Sequence, residues 1–179
     1  MVTLKKIIAC IIIAVLIFVF TGCSIRLVTS IRLVTVEGTS MLPTIQDGDF
    51  FIMATSTRRL NHNDIIVIDI PIEGFDYPII VRRIIGLPGD EISIDFQSGL
   101  ITRNGDILSH EVINGYLYEN GHRISAPTHF PGDMTSGIYT VPENHLFVMG
   151  DNRNNSIDSR IDSIGFVNIR NVMGRAINI

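Results

Sequence analysis

Ile79-Ile80-Val81-Arg82-Arg83-Ile84-Ile85-Gly86-Leu87-Pro88-Gly89-Asp90 decides the class of fold. Its first seven residues have the length and β-branched composition of a strand, and Gly86 with Pro88-Gly89-Asp90 ends it in a turn. Working outward, Phe50 to Met53, Ile65 to Ile70, Glu91 to Phe96, Leu100 to Arg103 and Leu146 to Met149 repeat the pattern between Gly, Pro, Asn and Asp. Asn104-Gly105, between Ile101-Thr102-Arg103 and Asp106-Ile107-Leu108, is the strongest hairpin signal in the chain. After residue 36 no stretch shows sustained helical periodicity with caps, although Arg153 to Ser163 has room for a helical turn. Residues 109–137, rich in Gly and Pro, read as an excursion of turns and edge strands. The expected fold is therefore mostly β.

A chain of 179 residues with 46% hydrophobic content suits one compact domain plus a short appendage. The formal net charge of -4 argues against a nucleic-acid partner, since phosphate binding needs a clustered basic excess. Arg58-Arg59 and Arg82-Arg83 are isolated pairs. Both cysteines, Cys10 and Cys23, lie in the apolar N-terminal segment, which leaves the rest without thiolate chemistry and makes a cysteine nucleophile very unfavourable as a reading.

Ile7 to Ile25 is an uncharged run of 19 residues between Lys5-Lys6 and Arg26. As a helix it would reach roughly 28 Å, about one hydrocarbon core. Three readings fit: an uncleaved anchor, a cleaved secretory signal, or a lipoprotein signal ending at Thr21-Gly22-Cys23, for which Phe20 is a poor match. The anchor is preferred. Flanking charge orients it only weakly, because Arg26 and Arg32 balance the two lysines. An exact tandem repeat follows, Ser24-Ile25-Arg26-Leu27-Val28-Thr29 and Ser30-Ile31-Arg32-Leu33-Val34-Thr35, which reads as a strand lengthened by local duplication.

Four blocks carry a family likeness: Gly38-Thr39-Ser40-Met41-Leu42-Pro43-Thr44, Asp64-Ile65-Ile66-Val67, the Val81–Asp90 segment, and Gly150-Asp151-Asn152-Arg153-Asn154-Asn155-Ser156-Ile157-Asp158-Ser159-Arg160. In this order they resemble the bacterial type I signal peptidases, and the likeness runs from about Val36 to Gly174-Arg175-Ala176, the 109–137 excursion excepted. The resemblance implies a signal-peptidase/LexA-like β-rich catalytic domain, residues 26–179, behind a cytoplasmic tip and one transmembrane helix, residues 1–25. It places the protein in the plasma membrane as a single-pass protein, N-terminus cytoplasmic and catalytic domain extracytoplasmic. The implied activity is a serine endopeptidase that removes N-terminal signal peptides from exported preproteins at the membrane surface, without metal or cofactor. Its partners would be those signal peptides and the lipid bilayer.

By the same resemblance Ser40 is the nucleophile, on a turn that Gly38 and Pro43 constrain, and its backbone N–H is an oxyanion donor. The position of Gly38 has a donating serine in some members, so the second donor is unassigned. Ser156 corresponds to a serine that hydrogen-bonds the catalytic lysine, while Asp151, Arg153, Asp158 and Arg160 belong to the supporting block. Met41, Ile80 and Val81 would line shallow pockets for the small residues of an extended substrate.

The family's catalytic lysine falls at Arg82. A lysine desolvated among apolar residues becomes a free amine and takes the serine proton. Arginine does not follow this logic, because its pKa exceeds ~12 and neutrality at pH 7 would cost about 7 kcal/mol. No other lysine is available, since Lys5 and Lys6 are the only two in the chain. His145, just before a strand leading to Gly150, is the best substitute base among His62, His110, His122, His129 and itself, although a plain turn histidine is the simpler reading. Asp158 or Asp151 is expected to pair with Arg82. The alternative to a peptidase is a catalytically inactive homologue that binds exported precursors or pilin-like subunits as an assembly factor.

Overall fold

The computed structural model describes residues 30–71, 79–95, 100–108, 111–113, 116–119, 122–123, 137–177 and 179. The proposed anchor and the first copy of the tandem repeat lie outside these residues. Among the described residues no helix is long and apolar enough to cross a membrane.

Fourteen strands follow one another in the described residues: β1 Ile31–Thr35, β2 Phe50–Ala54, β3 Ile65–Asp69, β4 Ile79–Gly86, β5 Glu91–Asp95, β6 Leu100–Arg103, β7 Asp106–Ile107, β8 Glu111–Ile113, β9 Tyr116–Glu119, β10 His122–Arg123, β11 Gly137–Thr140, β12 His145–Met149, β13 Val167–Asn168 and β14 Val172–Ile177. The expectation of a mostly β chain holds, and the strands read from sequence are present within a residue or two of their expected ends. Asn104 (φ 53°) and Gly105 (φ 87°) both take the left-handed conformation that a two-residue hairpin needs, and β6 pairs with β7 across them. Arg153 to Ser163 is a series of turns and bends that forms no helix, although Gly165 N–H closes a single i→i+4 turn on Ile161 O (2.9 Å), and a 3₁₀ turn follows at Ile169–Asn171.

Seven strands form one antiparallel sheet in the order β1-β2-β14-β3-β4-β12-β13; β11-β5-β6-β7 and β10-β9-β8 form two smaller ones. β3 shows how sequence builds the large sheet. Its Ile65, Ile66, Val67 and Ile68 are all buried, and successive side chains join different clusters. Ile66 and Ile68 pack with Ile84, Leu146 and Val148, whereas Ile65 and Val67 pack with Val36, Met41, Ile45 and Met53. The two-residue period of a strand thus covers both faces, which is why β3 reads as an unbroken apolar run. Each such side chain contributes about 1.5–3 kcal/mol relative to exposure. Ile85, Ile92, Ile94, Ile101, Phe147 and Met149 form a third cluster that joins the seven- and four-stranded sheets.

β14 sits centrally between β2 and β3, although Gly174 interrupts its apolar pattern in the sequence. The glycine is there for space: a Cβ at Gly174 would overlap the backbone oxygen of Ala54 and approach Met53 Cγ to 2.7 Å. At one end of the order, β1 has one neighbour among the described residues, β2, with Val34 opposite Phe51 and Thr35 opposite Phe50. The chain leaves β1 through a clasp in which Val36 N–H donates to Asp49 O (2.8 Å) and Gly48 N–H donates to Val36 O (2.9 Å).

Candidate active site

Between that clasp's two sides lies the loop that carries Ser40. Gly38 adopts a φ of 94° and donates its N–H to Asp47 Oδ1 (2.7 Å), so a residue with a Cβ would be strained there. Ile45 N–H closes a turn on Met41 O (3.0 Å), and both side chains are buried in the cluster around Val36 and Met53. The loop is therefore pinned from below. From above it is held by the 150–160 segment: Asn152 N–H donates to Ser40 O (3.0 Å), Asn152 Nδ2 to Thr39 O (3.0 Å) and Asn155 Nδ2 to Thr39 Oγ1 (3.2 Å). Among the described residues the Ser40 N–H meets no acceptor, as an oxyanion donor requires.

Gly150 makes this contact possible. A Cβ there would overlap Ser156 Oγ and come within 2.5 Å of Ser40 O. Gly150→Ala is expected to cost about 1–3 kcal/mol through overpacking, measured as a lowered urea midpoint.

Arg82 lies on β4 opposite Ile66 and is 5% exposed. Its Nη1 donates to Ser40 Oγ (2.9 Å) and to Val81 O (2.5 Å); Nε and Nη2 both donate to Ile157 O (2.9 and 2.8 Å). All these acceptors are neutral. The expected pairing of Arg82 with Asp158 or Asp151 does not form, because both carboxylates are engaged by other arginines. Asp158 receives a two-pronged contact from Arg160 Nε (2.8 Å) and Nη2 (2.9 Å), plus the Gly150 N–H (3.0 Å). Asp151 receives Arg83 Nε (2.7 Å) and Nη2 (2.5 Å), plus the Thr44 hydroxyl (2.5 Å). Such forks match the spacing of carboxylate oxygens and outcompete a single prong.

Burial pulls the Arg82 pKa below the ordinary arginine value, against the Asp158 carboxylate, which raises it, and with Arg160, which lowers it further. The guanidinium nonetheless stays a cation, since arginine is not deprotonated in proteins. It presents hydrogens to Ser40 and has no lone pair with which to accept one. For Asp158, burial acts to raise the pKa, but Arg160 and the Gly150 N–H outweigh it and hold the carboxyl below its usual range.

Ser156 Oγ is buried and has no hydrogen-bond partner among the described residues. Arg82, at the position that the resemblance gives to the family's lysine, bonds the neighbouring Ile157 carbonyl. Removing an unsatisfied hydroxyl is nearly neutral. Ser156→Ala should therefore change stability by less than about 0.5 kcal/mol in the native chain, whereas in an Arg82→Lys background it should lower precursor cleavage.

An apolar groove of about 550 Å³ runs from Ser40 and Arg82 between the Leu33–Glu37 stretch and Ile79–Val81, floored by Met53, Val67 and Met173. Ile80 and Val81 line it as expected. Met41 does not: at 1% exposure it faces the core, where it anchors the loop. His145 fits the simpler reading, a turn histidine at the start of the strand that leads to Gly150. It begins β12 at the end away from Gly150, with Nδ1 at Glu143 O (2.8 Å) and Nε2 3.5 Å from Asn168 Nδ2. His62 pairs with Asp90 (2.6 Å), so neither described histidine side chain serves Ser40. Sequence reading passed over Thr44, Asn152, Ser159 and the Ile157 carbonyl. Ser159 ties the loop to β12 through Oγ to the Val148 N–H (2.9 Å). Among the described residues no three His, Cys, Asp or Glu side chains are placed to hold a metal.

A serine on a pinned loop, its hydroxyl held by a buried side chain and both lining one apolar groove, is the layout of a serine peptidase site. The family model described as signal peptidase, peptidase S26, matches residues 4–179, and the chain belongs to that family. Its relatives include signal peptidase I of Bacillus licheniformis, 36% identical over 143 residues that span 78% of this chain and 70% of the relative. Signal peptidase I V of Bacillus subtilis strain 168 is 32% identical over 146 residues, 78% of this chain and 79% of that protein. The crystal structure of a signal peptidase I from Enterococcus faecalis V583 aligns with a TM-score of 0.46 at 28% identity, covering 69% of this chain and 100% of that one.

Proposed function

We propose that this protein is a type I signal peptidase, a serine endopeptidase that removes N-terminal signal peptides from exported preproteins, with Ser40 as nucleophile and its N–H as an oxyanion donor. Residues 1–25 would hold it in the plasma membrane, N-terminus cytoplasmic, with residues 26–179 on the far side. Family membership supports the reaction. The observation that carries the site is the 2.9 Å contact between Ser40 Oγ and the side chain at the base position, both of which line the groove. The test is cleavage of a signal-bearing precursor by detergent-solubilised protein. Ser40→Ala should abolish cleavage, and a Ser40→Ala protein as active as the native chain would remove Ser40 from the mechanism.

The same contact is also compatible with a second reading. Arg82 donates to Ser40 and accepts nothing, so the site orients a serine without a described group to deprotonate it. A homologue that binds exported precursors or pilin-like subunits as an assembly factor would have this site. It predicts capture of the precursor in native and Ser40→Ala protein alike, without turnover in either.

A further inference from the structure

Arg82 brings a cation to the lining of an apolar groove, and no carboxylate in the described structure hydrogen-bonds it. The buried charges among the described residues are three arginines and two aspartates, with Asp158 engaged by Arg160 and Asp151 by Arg83. The Ser40 oxygen accepts from Arg82, which leaves its own O–H as a donor with no described acceptor, beside the equally unengaged Ser40 N–H. The Ser40 hydroxyl and amide thus offer hydrogens beside a cation whose Nη1 hydrogens rest on Ser40 Oγ and Val81 O, so an arriving oxygen would take the place of Ser40 Oγ on Nη1. Such a set is suited to an anion with two oxygens.

Peptide hydrolysis at this point would generate one. The carboxylate of a released fragment has one oxygen where the carbonyl oxygen stood, by the Ser40 N–H, and a second beside Ser40 Oγ. A neutral lysine amine at the base position would gain little from that charge. A guanidinium turns the same contact into a charge-assisted pair. We propose that this site binds peptides with a free C-terminal carboxylate after a small residue, the chemistry of a released signal peptide, with Arg82 and Ser40 holding the carboxylate. The proposal rests on the reading of the groove as a peptide site.

Fluorescence anisotropy on the full chain in detergent micelles tests it with three labelled peptides. One ends in Ala-Gln-Ala with a free carboxylate, the second is its C-terminal amide, and the third continues eight residues further. The free acid should bind about ten- to a hundredfold tighter than the amide or the extended peptide. Arg82→Gln should erase that preference. Equal affinities for acid and amide on the native protein overturn the carboxylate proposal and leave the groove reading standing, as does a preference that survives Arg82→Gln. Absence of binding by all three peptides overturns the groove reading, and this proposal with it.

Discussion

Arg82→Lys is expected to raise the rate of precursor cleavage by about 10²- to 10⁴-fold, the range that a positioned general base supplies. The surroundings of the position are already those a lysine base needs. The side chain is buried at 5% exposure on a strand whose neighbours Ile66, Ile80 and Ile84 are apolar, so desolvation would lower a lysine's pKa toward neutrality. Ser40 Oγ stands within reach, and the unsatisfied Ser156 hydroxyl offers the amine a partner. The measurement is single-turnover cleavage of a signal-bearing precursor by native, Arg82→Lys and Ser40→Ala/Arg82→Lys proteins. A native rate equal to that of Arg82→Lys would mean that Ser40 gives its proton to some other group.

Asp158→Asn should have the largest effect on stability. Asp158 is fully buried, and its partner Arg160 is 2% exposed. The substitution would leave one guanidinium buried without its carboxylate and take from Arg82 the negative charge that offsets its burial. The cost of breaking such a pair is about 3–5 kcal/mol, read as the loss in urea midpoint. Replacing both Asp158 and Arg160 by apolar residues should cost less than Asp158→Asn alone, because no stranded charge remains. The pH dependence has a fixed sign. The folded pKa of Asp158 is depressed, so its contribution is complete above the unfolded value of about 3.9 and is lost as pH falls through the folded value. The native urea midpoint should therefore drop on acidification below about pH 4, and that part of the drop should be absent in Asp158→Asn.

Strands were legible where local composition and tertiary demand agree. β3 reads as a strand because both of its faces are covered and four of its five residues are Ile or Val, and β4 because five Ile and Val flank Arg82 and Arg83. β14 was not in the reading, since Gly174 looks like a breaker until Ala54 and Met53 are seen crossing over it. Ser40 and Arg82 were legible as a pair from their flanking blocks, and they do meet. Their other partners were not, because a backbone carbonyl such as that of Ile157 has no identity in the sequence. The assignment of four charges to two pairs depends on distance, which composition does not encode. Met41 illustrates a related limit: an apolar residue beside a nucleophile suits a substrate pocket and a core equally well, and burial chose the core.

β1 lies within the second of two identical hexapeptides, and β2 is its single neighbour among the described residues. Six is an even number, so sliding the chain by one copy would put Val28 where Val34 meets Phe51 and keep every side chain on its face. Side-chain matching along this edge is therefore degenerate. The register is set by the clasp of Val36 with Gly48 and Asp49, which ties one copy to the Ser40 loop by covalent continuity. A chain lacking either copy would be the same polypeptide, with the edge and the loop unchanged and the lead from the N-terminal segment six residues shorter. The duplication is in effect a ruler: it alters how far the serine stands from whatever holds the N-terminus, and leaves the serine's own surroundings alone.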